Sequence, residues 1–487
     1  MYFTDGLNPN EIGDFDVVEK DGRLHVFYLV LPSHDQIGHL VSDDGLNWEP
    51  LPVAVRTGDP GAFDDDQIWT MGVFRKGDSW FMLYTANQER GLVQVTGLAT
   101  SPDLVHWTKY DKNPVARPDP RWYEAEQHGN YRVDWRDPHI VECDGTLHAF
   151  LCARENQGLL NHRGCAGYFT STDGYAWEVQ PPACTPRNCF DYECPSVFEL
   201  DGRFYMVAIH GAHDRMTYRV ADRVEGPYRR PFDDSLTPGK NMSVRPCYWR
   251  GRVHLLHWNR GECDWGPRAG GPFAVLASPK AVRTGPEGAL VLESFDWSSQ
   301  HAEPPRRIDP QTPAAPSTAQ WAWKDGRLEG QSAPGTGFWL TEAEHEDFEI
   351  RAELQLESPR GACEFGIAVR TDETGDRGIT ARCVPGRYAV ELVKQVYNRR
   401  RGPESLWRGR SVEQAHHFAP SPDGRYVLRL IAFGPNLEFN VNGRLVLSHL
   451  TMPRSRGRVG FVIEDGRGTF SNITIAPLRA PNTNWGG

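Results

Sequence analysis

One short pattern recurs five times in the first half of the chain. D-G-R-L-H-V-F-Y-L (residues 21–29) returns as K-G-D-S-W-F-M-L-Y-T (76–85), D-G-T-L-H-A-F-L (144–151), D-G-R-F-Y-M-V-A (201–208) and R-G-R-V-H-L-L-H-W (250–258), roughly 50–70 residues apart. Each copy is a two-residue turn followed by a run of aliphatic and aromatic residues, the signature of the second strand of a hairpin. A second motif follows the first three copies: S-D-D-G-L-N-W (42–48), S-P-D-L-V-H-W (101–107) and S-T-D-G-Y-A-W (171–177), with E-G-P-Y (225–228) in its place after the fourth. Extended helical periodicity is absent. A unit of about four strands at this period is the blade of a β-propeller, and five units predict a five-bladed one. A sandwich with regular turns would not repeat matching positions at such a period.

The 487 residues leave room for a second domain, and 39% hydrophobic with 24% charged residues describes a folded chain rather than a disordered one. No apolar run is long enough to cross a bilayer, and no membrane partner is expected. The start, M-Y-F-T-D-G-L-N-P-N-E-I-G-D-F-D, lacks the basic-then-apolar order of a secretory signal, so a cytoplasmic location is expected. A net charge of −11 argues against a nucleic-acid partner held by a basic surface, and the basic run at 398–410 reads as a solvated loop. The ten cysteines are dispersed. Cys184, Cys189 and Cys194 are spaced C-x4-C-x4-C, which reads as buried reduced thiols rather than a zinc site. No cofactor or metal is expected, and oligomeric state stays open.

In a propeller the innermost strands run along the central axis, so residues at their starts face one funnel. Counting back from the turn glycines, Asp14 precedes Gly22 by eight positions, Asp137 precedes Gly145 by eight, and Glu193 precedes Gly202 by nine. Blade two offers Asp64, Asp65 and Asp66 in D-D-D-Q-I-W-T-M-G, together with Gln67 and Trp69, and blade five offers Arg245. Three carboxylates from three blades are therefore expected at one mouth. Clustered acids raise one another's pKa, so one can stay protonated while another is ionised. Glycoside cleavage needs that pair: one acid protonates the departing oxygen, and the other attacks the anomeric carbon or activates water. Arg136 and Arg245 are candidates to hold a sugar hydroxyl or keep the remaining carboxylates ionised. Trp69, Trp135 and Tyr192 are candidates for the walls of a sugar subsite. Asp16 shares a strand face with Asp14 and stands beside it as an alternative nucleophile.

W-R-D-P (135–138) and Y-E-C-P (192–195), in that order and each opening an inner strand, resemble the R-D-P and E-C-P motifs of glycoside hydrolase family 32, the invertases, inulinases and levanases. I-G-D-F-D-V-V-E-K-D-G-R-L-H-V-F-Y-L is similar to that family's first strand, and I-W-T-M-G-V-F-R-K-G-D-S-W-F-M-L-Y-T to its second-blade strand. The resemblance covers about residues 10–300. It departs at the nucleophile, where the usual N-D-P-N-G is Gly13-Asp14-Phe15-Asp16-Val17. The resemblance implies Asp14 as nucleophile, Glu193 as general acid/base, Asp137 as transition-state stabiliser, and a retaining exo-acting hydrolase of terminal β-fructofuranosyl residues. Three other outcomes stay open. They are glycosyl transfer on the same scaffold, an inverting arabinofuranosidase or xylosidase of the family 43 type, and a sugar-binding propeller without turnover.

Beyond residue 300 the composition changes. A segment rich in Pro, Ser and Ala (298–320) reads as a linker around 301–320. After it, alternating runs such as D-F-E-I-R-A-E-L-Q-L-E (347–357) and L-E-F-N-V-N-G-R-L-V-L-S-H-L (437–450) predict a β-sandwich over 321–487, similar to the concanavalin-like module that follows the propeller in family 32. Its expected role is a structural buttress, with a carbohydrate-binding module as the alternative.

Overall fold

The computed structural model describes residues 2–479 other than 6–9, 89–92, 128–131, 212–214, 238–240, 261–271, 297–300, 309–318, 358–362, 376, 398–407 and 451–455. Most of the basic run at 398–410, much of the Pro-rich segment and Cys263 lie outside the described residues. The nine described cysteines are free thiols. The chain divides into two compact units, with residues 293–481 in the second.

Four four-stranded antiparallel sheets and one six-stranded sheet make the five blades of the first unit. Their innermost strands are Asn10–Lys20, Gln67–Lys76, Trp135–Cys143, Tyr192–Leu200 and Asn241–Trp249. The repeated turns explain the hairpins. Asp21-Gly22, Asp144-Gly145, Asp201-Gly202 and Arg250-Gly251 all have φ > 0 at both positions, whereas blade two has it at Gly77 alone, followed by Asp78. These are the backbone settings of type I′ and II′ turns, whose twist matches that of the strands they join.

The second motif has a mechanism as well. In each S-x-D copy the serine hydroxyl and the aspartate accept from the backbone of the next turns. Gly45, Leu104 and Gly174 donate to Ser42, Ser101 and Ser171 at 2.8, 2.9 and 2.9 Å, while Asn47, His106 and Ala176 donate to Asp44, Asp103 and Asp173 at 2.7, 2.8 and 2.9 Å. Such caps satisfy loop amides at the rims of the first three blades. The ring is closed by the strand Tyr2–Asp5, which pairs antiparallel with Pro272–Leu276 of the last blade. Across the same seam Trp249 Nε1 donates to the Gly22 carbonyl at 3.0 Å.

Every inner strand carries a register irregularity near its start: between Ile12 and Phe15, Trp69 and Met71, Arg136 and His139, Glu193 and Ser196, and Met242 and Arg245. A bulge leaves the extra residue outside the ladder and re-aims its side chain. It also releases one backbone donor from duty, and this is where Pro138 and Pro195 sit. Asp137, Cys194 and Ser243 have φ of 65°, 49° and 47°. The bulges therefore turn the same slot of five blades out of the sheet.

Two residues beyond its bulge, blade two carries a glycine, Gly72, packed directly against blade three. A Cβ on Gly72 would lie 2.5 Å from the Pro138 carbonyl oxygen and 2.6 Å from Ile140 Cδ1. Because the first obstacle is backbone of the next blade, Gly72→Ala is expected to cost about 1–3 kcal/mol, read as a lowered denaturant midpoint at unchanged slope. A midpoint equal to that of the parent protein would show that the blades can part.

In the second unit one continuous 12-stranded sheet wraps a single apolar core in a sandwich- or barrel-like manner. The sheet is continuous because one strand serves both of its halves. Gly457–Pro477 pairs through its first part with Glu364–Thr371 and through its second with Phe348–Leu356. The strand turns between the two at Asp465, whose φ is 51°. Corners of this kind let a sheet fold over its own core. The Pro-rich segment is also partly ladder: Arg306 and Arg307 pair with Ile475 and Thr474, and Ala319–Lys324 pairs with Arg327–His345.

Candidate active site

The five bulges place Asp14, Thr70, Asp137, Cys194 and Ser243 around one axis. Asp14 is the hub. Thr70 Oγ1 donates to its Oδ2 at 3.2 Å, Trp258 Nε1 donates to its Oδ1 at 3.1 Å, and the Ser243 hydroxyl donates to the same Oδ1. The Cys194 thiol approaches Oδ2 at 3.6 Å. Donors from blades two, four and five thus fix the orientation of one carboxylate on blade one.

Asp137 is fully enclosed on the other side of that thiol. Its amide donates to Thr85 Oγ1 at 3.0 Å, and its Oδ2 accepts from the Cys194 amide at 3.3 Å. A carboxylate oxygen of each of Asp14 and Asp137 and the Cys194 sulfur lie within 4.8 Å of one another. Burial raises the pKa of Asp137, with Arg136 opposing and the charge of Asp14 adding.

Glu193 does not occupy the bulge slot. It precedes it, as Arg136 does in blade three, and the two side chains meet: Arg136 Nη2 donates to Glu193 Oε1 at 2.6 Å. The nine-residue count to its turn glycine, against eight for Asp14 and Asp137, is this offset. With 29% of its side chain exposed, Glu193 is the most open of the group's ionisable partners of Arg136. Its pKa is raised to about 7, chiefly by burial, with the Asp191 and Asp137 charges adding and Arg136 opposing. Arg136 itself is buried and also touches Asp134 Oδ1 at 2.6 Å, Asp137 Oδ2 at 3.5 Å and Asp191 Oδ2 at 3.6 Å.

The remaining sequence candidates divide sharply. Trp69 is half-buried beside Thr70, with the Arg132 guanidinium 4.4 Å above its ring and the His34 ring 5.0 Å away. Its Nε1 donates to Gln67 Oε1 at 2.9 Å. Asp66 is exposed, just before the strand. Trp135 and Tyr192 are corrected: both are wholly enclosed in interblade cores and present no surface to a sugar. Their aromatic side chains point into the blade, where Trp135 Nε1 bonds Thr96 Oγ1 at 3.0 Å.

Arg245 is also corrected as a sugar contact. It is 0% exposed and lies beneath the ring, donating to the Phe15 carbonyl and to Ser196 Oγ, both at 2.9 Å. Asp16 lies in the same lower layer, 2% exposed, accepting from the Val73 amide at 2.6 Å and facing Arg245 Nε at 3.9 Å. Burial pushes its pKa up to about 6, against the pull of Arg245. Facing the same side of the strand as Asp14 does not give it the same access.

Thr70, Cys194, Ser243, Trp258 and Asp191 were not among the sequence candidates. The whole ring was readable all the same. Counting eight positions back from the second turn residue of each blade (Gly22, Asp78, Gly145, Gly202 and Gly251) returns Asp14, Thr70, Asp137, Cys194 and Ser243.

Fold and site together define a five-bladed propeller whose bulged inner strands gather acids around one oriented carboxylate. The N-terminal domain of glycosyl hydrolases family 32 matches residues 13–228, which hold the first four blades' bulge residues, and this chain belongs to glycoside hydrolase family 32. The chain is similar to the levanase of Bacillus subtilis (strain 168), at 25% identity over 94% of this chain and 67% of that one. It is also similar to the 6(G)-fructosyltransferase of Asparagus officinalis, at 32% identity over 31% of this chain and 25% of that one. Matches to the first plant relatives span only 25%, 23% and 28% of their lengths. Among solved structures, fructan 1-exohydrolase IIa from Cichorium intybus shares the fold at a TM-score of 0.72 and 17% identity, over 99% of this chain and 97% of that one. Exo-inulinase from Aspergillus awamori does so at 0.72 and 16%, over 98% of each.

Proposed function

We propose that this protein is a retaining exo-glycosidase that hydrolyses terminal β-fructofuranosyl residues of oligo- or polysaccharides. The observation that carries the reading is one carboxylate, Asp14, held by donors from other blades beside Asp137, with Glu193 opposite on Arg136. An oriented and partly open carboxylate suits attack on an anomeric carbon. Glu193, whose pKa stands near 7, suits delivery of a proton to the leaving oxygen and its later recovery from water. Asp137, buried beside Asp14 at the bulge, suits electrostatic stabilisation of the oxocarbenium character as it develops. Asp16 has no path to a substrate and serves the layer below.

Hydrolysis is favoured over transfer because the levanase aligns over 94% of this chain, whereas the transferase match covers 31%. The test is incubation with levan, inulin and sucrose, following products by chromatography and anomeric configuration by NMR. Released fructose of retained configuration supports the reading. Inverted product, or pentose release from aryl arabinofuranosides instead, overturns it.

A pH dependence follows. Glu193 must be protonated to donate, and its protonated fraction falls as pH rises through about 7. The kcat/KM profile is therefore expected to fall on its alkaline side with an apparent pKa near 7. A plateau extending to pH 9 would detach Glu193 from the proton transfer.

A further inference from the structure

Arg136 serves more carboxylates than one cation can neutralise. Its Nη1 meets Asp134 and its Nε faces Asp137, while the same Nη2 reaches Glu193 Oε1 at 2.6 Å and Asp191 Oδ2 at 3.6 Å. The guanidinium cannot swing to favour one of the two. Asp134 holds it from behind at 2.6 Å, and Asp134 is itself paired with the buried Arg154, which bonds Glu124 at 2.6 Å. Asp191 is also held in place. Gly164 and Gly211 lie against it so closely that a Cβ on Gly211 would overlap its Oδ1, and a Cβ on Gly164 would come within 2.8 Å of its backbone.

We infer that Asp191 is a positioning residue for Glu193: set against the same Arg136 Nη2, its charge offsets part of that cation's pull on the proton donor. The inference rests on the assignment of Glu193 as general acid. The groups facing Glu193 are Arg136 and Asp137 from the third inner strand, Asp191 and the Cys194 thiol from its own segment, and, behind Cys194, Asp14 from the first. Among them Arg136 alone favours the ionised form, while Asp191 and Asp137 both oppose it. Asp137 is committed to the Cys194 amide, which leaves Asp191 as the neighbour whose removal most directly changes how Arg136 divides its charge.

The experiment is the kcat/KM–pH profile on sucrose and on 1-kestose for the parent protein, Asp191→Asn, Asp191→Ser, Asp191→Glu and Glu193→Gln. With the neutral residues the charge of Arg136 acts on Glu193 without Asp191 opposing it, so the alkaline limb is expected to move to lower pH by more than about 0.5 unit. Asp191→Glu should restore it in part. A carboxylate that only supported the loop would lower kcat without moving the limb. If Glu193→Gln abolishes the limb but both neutral Asp191 variants leave it within about 0.2 unit of the parent, the inference about Asp191 is wrong. If Glu193→Gln keeps the limb, the general-acid assignment fails instead. A carboxyl 13C NMR titration of Glu193 in the Asp191→Asn protein reads the same shift without turnover.

Discussion

Asp14→Asn is expected to lower kcat on a fructan by on the order of 10⁴ or more, as loss of a covalent nucleophile does in enzymes whose catalytic groups act as a unit. The amide is nearly isosteric. Its oxygen can still accept from Ser243 and Trp258, and the Thr70 hydroxyl can turn to face the new NH2 group. Folding and substrate binding should survive, which makes the loss a statement about bond formation. Mass spectrometry of the Glu193→Gln protein quenched during turnover of an aryl β-fructofuranoside should find one fructosyl unit on the peptide holding Asp14. Turnover within about tenfold of the parent, or a label on the peptide's Asp16 instead, would remove Asp14 from the role.

Glu193→Gln should cost about 10²–10⁴ in kcat on sucrose or levan and clearly less on aryl fructofuranosides with acidic leaving groups. The difference between the two substrates is the diagnostic part. A leaving group that departs as a stable anion does not need the proton, so its first step is spared while the second, attack of water, still lacks a base. Added azide, which needs no base, should then recover part of the rate. Equal losses on both substrates would point to a distorted site rather than a missing proton donor.

The fold was legible because its punctuation is chemical. Asp-Gly and Gly-Asp turns demand φ > 0, and the S-x-D caps demand loop amides, so both mark the blades by necessity. Site acids on the bulges could be placed by counting from those turns. Harder to see was that the slot need not hold an acid: Thr70 and Ser243 are ordinary residues in ordinary strand sequence, and their role appears only once the bulge turns them toward Asp14. Trp135 and Tyr192 misled for the opposite reason. An aromatic residue beside a catalytic motif looks the same in sequence whether it faces the funnel or the blade, and the bulge geometry decides. In the second unit, Arg306 and Arg307 follow two prolines yet pair in the ladder, because the prolines end before the paired donors begin.

The bonds around Asp14 join residues 56, 180, 229 and 244 positions apart along the chain. No partial product of synthesis or proteolysis that lacks the last blade can assemble that cradle, however well its remaining hairpins fold. Activity in this protein is thus an assay of circumference: it switches on when the first strand and the last are seated against each other, and a single nick that frees either should silence it before the secondary structure melts.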